Sequence, residues 1–103
     1  MKEELQDLID LLHERKCSCV LRNGEIYTFE RRGVEDLYDL LREQPGLLLG
    51  ADVADKVVGK GAAALMVLGR VRRVYADVLS EPAYGLLFQT GISVSYGRLV
   101  SAI

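Results

Sequence analysis

Hydrophobic residues recur along the chain in several rhythms. Over residues 3–14, Leu5, Leu8, Ile9, Leu11 and Leu12 share one broad face at helical spacing, while Glu3, Glu4, Asp7, Asp10 and Glu14 take the other. That pattern predicts an amphipathic helix. Its early acids and its terminal Arg15 and Lys16 match the helix dipole. Residues 17–22 and 25–29 read as strands joined by Asn23-Gly24, a pair that tolerates the positive φ of a tight hairpin. Alternation places Cys17, Cys19 and Leu21 on one face and Ser18, Val20 and Arg22 on the other. After Gly33 the helical spacing returns, with Val34, Leu37, Tyr38, Leu40 and Leu41 as the apolar face and Pro45-Gly46 as the stop. Residues 47–50, Leu-Leu-Leu-Gly, form a short apolar run of ambiguous type.

Residues 51–68 are almost entirely small or apolar. Asp52 reads as an N-cap with Asp55 three positions on, which predicts one central, buried helix over 53–68, ended by Gly69. Gly59 and Gly61 would weaken that helix by roughly 1 kcal/mol each, a cost that a close backbone approach would justify. Residues 73–79 form a third strand. Ser80 then caps a helix with Pro82 in its first turn, running to Gly91. Residues 92–96 form a fourth strand, and the terminal Leu-Val-Ser-Ala-Ile is read as the start of a further element. A hairpin followed by strand–helix–strand units predicts a three-layer α/β/α sandwich with a mixed sheet.

Composition narrows the chemistry. At 103 residues and 50% hydrophobic, the chain makes one domain with one core. The scaling for its mass puts the folded surface at roughly 5,800 Å². Thirteen Lys plus Arg against fifteen Asp plus Glu give a formal charge of -2, which argues against nucleic acid as a partner. The acidic amphipathic start is no secretory signal, and no apolar run is long enough for a membrane span. Two cysteines one residue apart make no disulfide framework, so reduced thiols in a cytosol are expected. With one histidine and two cysteines, zinc sites and histidine-driven triads have few residues to draw on.

The stretch Ala54-Asp55-Lys56-Val57-Val58-Gly59-Lys60-Gly61-Ala62-Ala63-Ala64 carries a resemblance, supported by Cys17-Ser18-Cys19-Val20 upstream and Tyr75-Ala76-Asp77-Val78-Leu79-Ser80-Glu81 downstream. Together these resemble DUF1893, a small prokaryotic family of uncharacterised domains similar in fold to the cytidine deaminase superfamily. The resemblance implies a cytidine deaminase-like sandwich and a natural chain that continues past residue 103. It also implies where zinc would sit in an active deaminase: a His- or Cys-Ala-Glu triplet at one helix start and Pro-Cys-x-x-Cys at another. The matching places carry Ala54, Asp55 and Lys56 at the start of the 53–68 helix, and Ser80, Glu81, Pro82 and Ala83 at the start of the 81–90 helix. Neither holds a His or Cys, so no metal or cofactor is expected and zinc-dependent deamination is disfavoured.

What remains is a pair of helix N-termini, which favour anions, facing a crevice at the carboxyl ends of the strands. The candidate ligand residues are Asp55, Lys56, Lys60 and Ser80, with Cys19 and Asp77 as secondary candidates. Lys56 and Lys60, four apart, would share a helical face. A small nucleotide-like or phosphate-bearing ligand is the simplest occupant. Two other readings stand beside it. One is a non-zinc enzyme with Asp55 as base and Lys56 or Lys60 as electrostatic stabiliser. The other is a homodimeric interaction module using Leu47–Leu49 and the C-terminal apolar residues. His13 is expected at a surface or helix end, and Asp77, if it faces inward, needs a partner.

Overall fold

A computed structural model describes residues 4–31 and 34–103; Glu3 and Gly33 of the two helical patterns lie outside the described residues. Helix α1 (Leu5–Glu14) leads into strands β1 (Cys19–Asn23) and β2 (Glu25–Phe29). Helices α2 (Glu35–Glu43) and α3 (Pro45–Leu48) follow, then β3 (Asp52–Val58), α4 (Lys60–Gly69), β4 (Arg73–Ser80), α5 (Glu81–Gln89) and β5 (Ser93–Val100). The sheet order is β2-β1-β3-β4-β5. β1 runs antiparallel to both β2 and β3, while β3, β4 and β5 are mutually parallel. The sheet is therefore mixed, as expected.

Two apolar clusters lie on its two faces. Leu8 and Leu12 of α1 pack on Cys17, Val20 and Ala54. On the opposite face Leu37 and Leu40 of α2, Leu48 of α3, Ala62, Ala63 and Met66 of α4, and Ala83 and Leu87 of α5 pack on Leu21, Val53, Val74 and Ala76. Helices on both faces make this the predicted three-layer α/β/α sandwich. The folded surface is 6092 Å², close to the scaling value.

The largest departure from the sequence reading is at residues 51–68. Residues 52–58 form the central strand, and the helix begins only at Lys60. A parallel strand covered on both faces reads as a continuous apolar run and shows no alternation. Asp52 is therefore no N-cap, and Asp55 and Lys56 stand on a strand. Gly59, with extended backbone, is the actual N-cap of α4. Neither Gly59 nor Gly61 admits a close backbone neighbour: a Cβ there would make ordinary contact with Ile103 or Val34. The close approach falls at Gly69, where a Cβ would come within 2.7 Å of Leu48 Cδ1. Residues 98–100 begin no new element; they extend β5 beside Val78–Ser80. Leu48 belongs to the core, whereas Leu49 and Ile103 are exposed.

The hairpin forms around Gly24 at φ 76°. Asn23 adds a tie, since its Nδ2 donates to the carbonyls of Gly46, Leu47 and Leu49. The two cysteines do not share a face. β1 begins at Cys19, so Cys17 escapes the alternation and packs beneath α1, while Cys19 joins the opposite cluster. Both are free and buried.

One end of β3 is anchored electrostatically. Asp52 is 1% exposed and accepts from three guanidinium groups. Arg73 donates at 3.0 and 2.7 Å, Arg72 at 3.1 and 2.9 Å, and the buried Arg22 at 3.3 Å. Burial alone would raise this carboxyl. The bonds from Arg73, Arg72 and Arg22 outweigh it and hold the group well below the usual carboxylate range. Removing the shared acceptor leaves buried positive charge behind, so Asp52→Ala should cost about 3–5 kcal/mol in denaturant unfolding. Arg72→Ala, at a side chain 58% exposed, should cost below about 1 kcal/mol. Equal costs would show that Asp52 anchors nothing.

Candidate functional site

At the other end of β3 the strand's alternation slips. Val53 and Val58 enter the same cluster although five positions apart, and so do Ala76 and Leu79 on β4, three positions apart. Between them Lys56 and Val57 are both exposed. The Val57 N–H turns to the Asp55 side chain, donating to Oδ1 at 3.4 Å. The Lys56 N–H still donates to the Ser18 carbonyl at 3.0 Å, and the register with β4 passes over Lys56, the kind of strand irregularity that is common near sites.

A cavity of about 560 Å³ lies there, within the usual size of small-molecule pockets. Lys16, Cys17, Ser18 and Cys19 line it from the approach to β1, Glu30 from the end of β2, Asp36 and Leu37 from α2, and Asp55, Lys56 and Val57 from β3. Lys16, Lys56 and Glu30 are exposed and form its rim, whereas Cys17, Cys19, Leu37 and Asp55 are buried. Asp36 is held by Arg31, whose backbone N–H and Nε donate to it at 3.2 and 2.7 Å. The Ser18 hydroxyl donates to the carbonyls of Phe29 and Arg31, at 3.2 and 2.7 Å.

Asp55 is 7% exposed, and among the described residues no cation pairs with it. Burial pushes its carboxyl up to about 7, against the Val57 and Lys56 N–H groups and the Cys19 thiol, which favour the ionised form; the charge of Asp77 adds to the rise. Cys19 stands opposite Asp55 in the β1–β3 register. Burial first, and the Asp55 charge second, raise its thiol well above the ordinary value. A thiol held protonated is a hydrogen-bond donor to Asp55 and a poor nucleophile.

The structure thus brings together three of the six candidates, Asp55, Lys56 and Cys19. Lys60 is exposed in the first turn of α4 and does not line the cavity; because Lys56 is on β3, the two lysines share no helical face. Ser80 is buried as the N-cap of α5, its hydroxyl accepting from the Ala83 N–H at 3.2 Å. Asp77 has the partners it needs: His13 Nε2 and the Tyr75 hydroxyl both lie 2.7 Å from its Oδ1. This clasp fixes the end of α1, the half-exposed His13 included, over β4. Burial, and then the bond to Asp77, push the Tyr75 phenol up to about 12. The remaining lining residues escaped the sequence reading. Apart from Val57 on β3, they come from the α1–β1 connection, the end of β2 and the first turn of α2, and no local motif links them.

The helix starts where this architecture would carry zinc are Gly59-Lys60-Gly61 at α4 and Ser80-Glu81-Pro82 at α5. Their donor set has no imidazole or thiolate, and Ser80 already serves its own helix, so the residues present do not fit the metal. Cys17 and Cys19 are buried on opposite faces of the sheet.

These features define a deaminase-like sandwich whose cavity lies between β1, β3 and α2. Acinetobacter baumannii RibD in its form 2 structure shares the fold, with a TM-score of 0.57 and 16% identity over 90% of this chain and 34% of that one. A family profile described as a domain of unknown function, DUF1893, matches residues 7–103, and the chain belongs to that family. The crystal structure of a DUF1893 family protein (TM1506) from Thermotoga maritima aligns with a TM-score of 0.86 and 24% identity, covering 100% of this chain and 71% of that one. No curated protein sequence matches.

The state of Asp55 has a thermodynamic consequence. Its folded pKa lies above the unfolded value of 3.8, so the native state binds more protons than the unfolded state between about pH 4 and pH 7. Stability contributed by the protonated form is therefore lost as pH rises through that window. Asp55→Asn should stabilise the protein above pH 7, by at most about 4 kcal/mol, and flatten the pH dependence of its melting temperature. An unchanged slope would place the ionised carboxyl in water.

Proposed function

We propose that this domain binds a small anionic, nucleotide-related ligand in the cavity between β1, β3 and α2. The observation that carries the reading is a buried acid, without a cation among the described residues, lining a cavity whose rim carries Lys16 and Lys56. Burying a carboxyl this way is costly, and a ligand that hydrogen-bonds to it recovers the cost. Two ammonium groups at a rim are suited to a phosphate. The Asp36 charge in the same wall is already balanced by Arg31.

A second reading makes the cavity catalytic, with Asp55 as general base and Lys56 as its electrostatic partner. A carboxyl at about 7 is poised for proton transfer at neutral pH, which favours this alternative.

Saturation-transfer NMR against a mixture of nucleoside monophosphates tests the first reading. Binding is expected, and the Lys16→Ala, Lys56→Ala double variant should weaken it about tenfold. Lys60→Ala, outside the cavity, should leave it unchanged. If no nucleotide binds, or if only Lys60 matters, the proposal fails. Conversion of any bound nucleotide, followed by mass, separates the catalytic reading.

A further inference from the structure

We propose that Asp55 reads the ligand's ring, and that the ring presents to it a planar edge with two adjacent N–H donors, the edge that guanine carries. This deepens the nucleotide reading above and rests on it.

The groups that hydrogen-bond to the carboxyl are donors, the Cys19 thiol across the β1–β3 ladder and the Val57 N–H at 3.4 Å, while Asp77 acts on it as a like charge. A carboxylate accepts at about four lone-pair positions, so donors on the protein side leave acceptor capacity toward the cavity. A ligand with paired N–H groups completes the set in the bidentate geometry that carboxylates favour. Adenine and cytosine instead place a ring acceptor beside their amino group. Against an ionised Asp55 that arrangement sets lone pair against lone pair, and only the protonated acid would accept it. Burial outweighs the donors around Asp55 and raises its carboxyl to about 7, so the ionised form that takes the guanine-type edge predominates above that pH.

The rest of the cavity is consistent with such an occupant. Leu37 and Val57 supply apolar wall. The lysines that would meet a phosphate stand at the exposed rim, apart from the buried acid, so the ring faces inward and the charged group outward. A volume of about 560 Å³ accommodates a mononucleotide. Sites built around a buried hydrogen-bonding group discriminate strongly, because a mismatched ligand leaves that group unpaired.

The test is calorimetric titration of the protein with GMP, IMP, AMP and inorganic phosphate, at about pH 8 and about pH 6, for the parent and for Asp55→Asn. IMP keeps the ring N–H but lacks the amino group, and AMP has neither donor pair. At pH 8 GMP should bind about tenfold or more tightly than AMP, with IMP between. Asp55→Asn should erase that order while the lysines still hold the phosphate. Only the ionised fraction of Asp55 would bind guanine and only the protonated fraction would accept adenine, so the GMP-to-AMP ratio should fall about tenfold or more by pH 6 in the parent and stay flat in the variant. Taking the ratio cancels the titration of the phosphate itself. Equal affinities that Asp55→Asn leaves unchanged would overturn this inference and leave the nucleotide reading standing. AMP favoured over GMP, more so at pH 6, would overturn it by showing that the protonated acid reads the ring. Absence of binding by every nucleotide and by phosphate would overturn both. Retention of the amide NMR fingerprint confirms that the variant is folded.

Discussion

The structure turns on how one central strand buries two carboxyl groups. Asp52 and Asp55 lie three residues apart on β3, and both are nearly inaccessible. Desolvation acts on both in the same direction. At Asp52 three guanidinium groups outweigh it, and the charge is locked into an anchor that ties β1, β3 and the start of β4. At Asp55 the donors among the described residues are neutral, the Asp77 charge opposes them, and the carboxyl is raised to about 7. Identical side chains on one element thus end in opposite electrostatic states, one compensated and ionised, the other raised by burial.

This division explains where the cavity lies. The slip in β3 exposes Lys56 and Val57 together beyond the buried Asp55, so the inner acid and one rim cation, Lys56, come from consecutive residues, while Lys16 joins them from the approach to β1. The opposite wall depends on α2, which Arg31 holds through Asp36 and Asp39. The approach to β1 lies beside the end of α1, where the clasp of His13 and Tyr75 on Asp77 fixes that helix. The helix starts that would hold zinc in a related fold are separate from this arrangement. Ser80 is committed to capping α5, and Gly59-Lys60-Gly61 offers no metal donor. The DUF1893 chain keeps the deaminase-like sandwich while concentrating its buried polar chemistry between β1, β3 and α2.

Much of this was legible in the residues because several elements announce themselves locally. The amphipathic spacing marks α1 and α2, Asn23-Gly24 marks the hairpin, and Ser80 with Pro82 marks the start of α5. β3 was hidden because both its faces are buried: Asp52, Asp55 and Lys56 at intervals of three and one mimic a capped helix, and only Gly59 separates strand from helix. The pattern therefore marks Asp55 and Lys56 in the right segment but as part of a helix, and the helical face it implies for Lys56 and Lys60 does not exist, because Lys56 is on β3 and Lys60 on α4. The cysteines were misplaced for a related reason, since Cys17 precedes the strand whose alternation it was thought to share. Lys16, Glu30, Asp36 and Leu37 meet only through tertiary packing, for which the chain carries no local signal.

On β3 a buried acid with no cation paired to it among the described residues lines the cavity, while Asp52, three positions away, is held by three guanidinium groups. A carbon-13 NMR titration of the aspartate carboxyl resonances tests it directly. The account predicts that Asp55 titrates near 7, while Asp52 remains ionised throughout the range in which the protein stays folded. An Asp55 midpoint near 4, the value of a carboxyl in water, would contradict it.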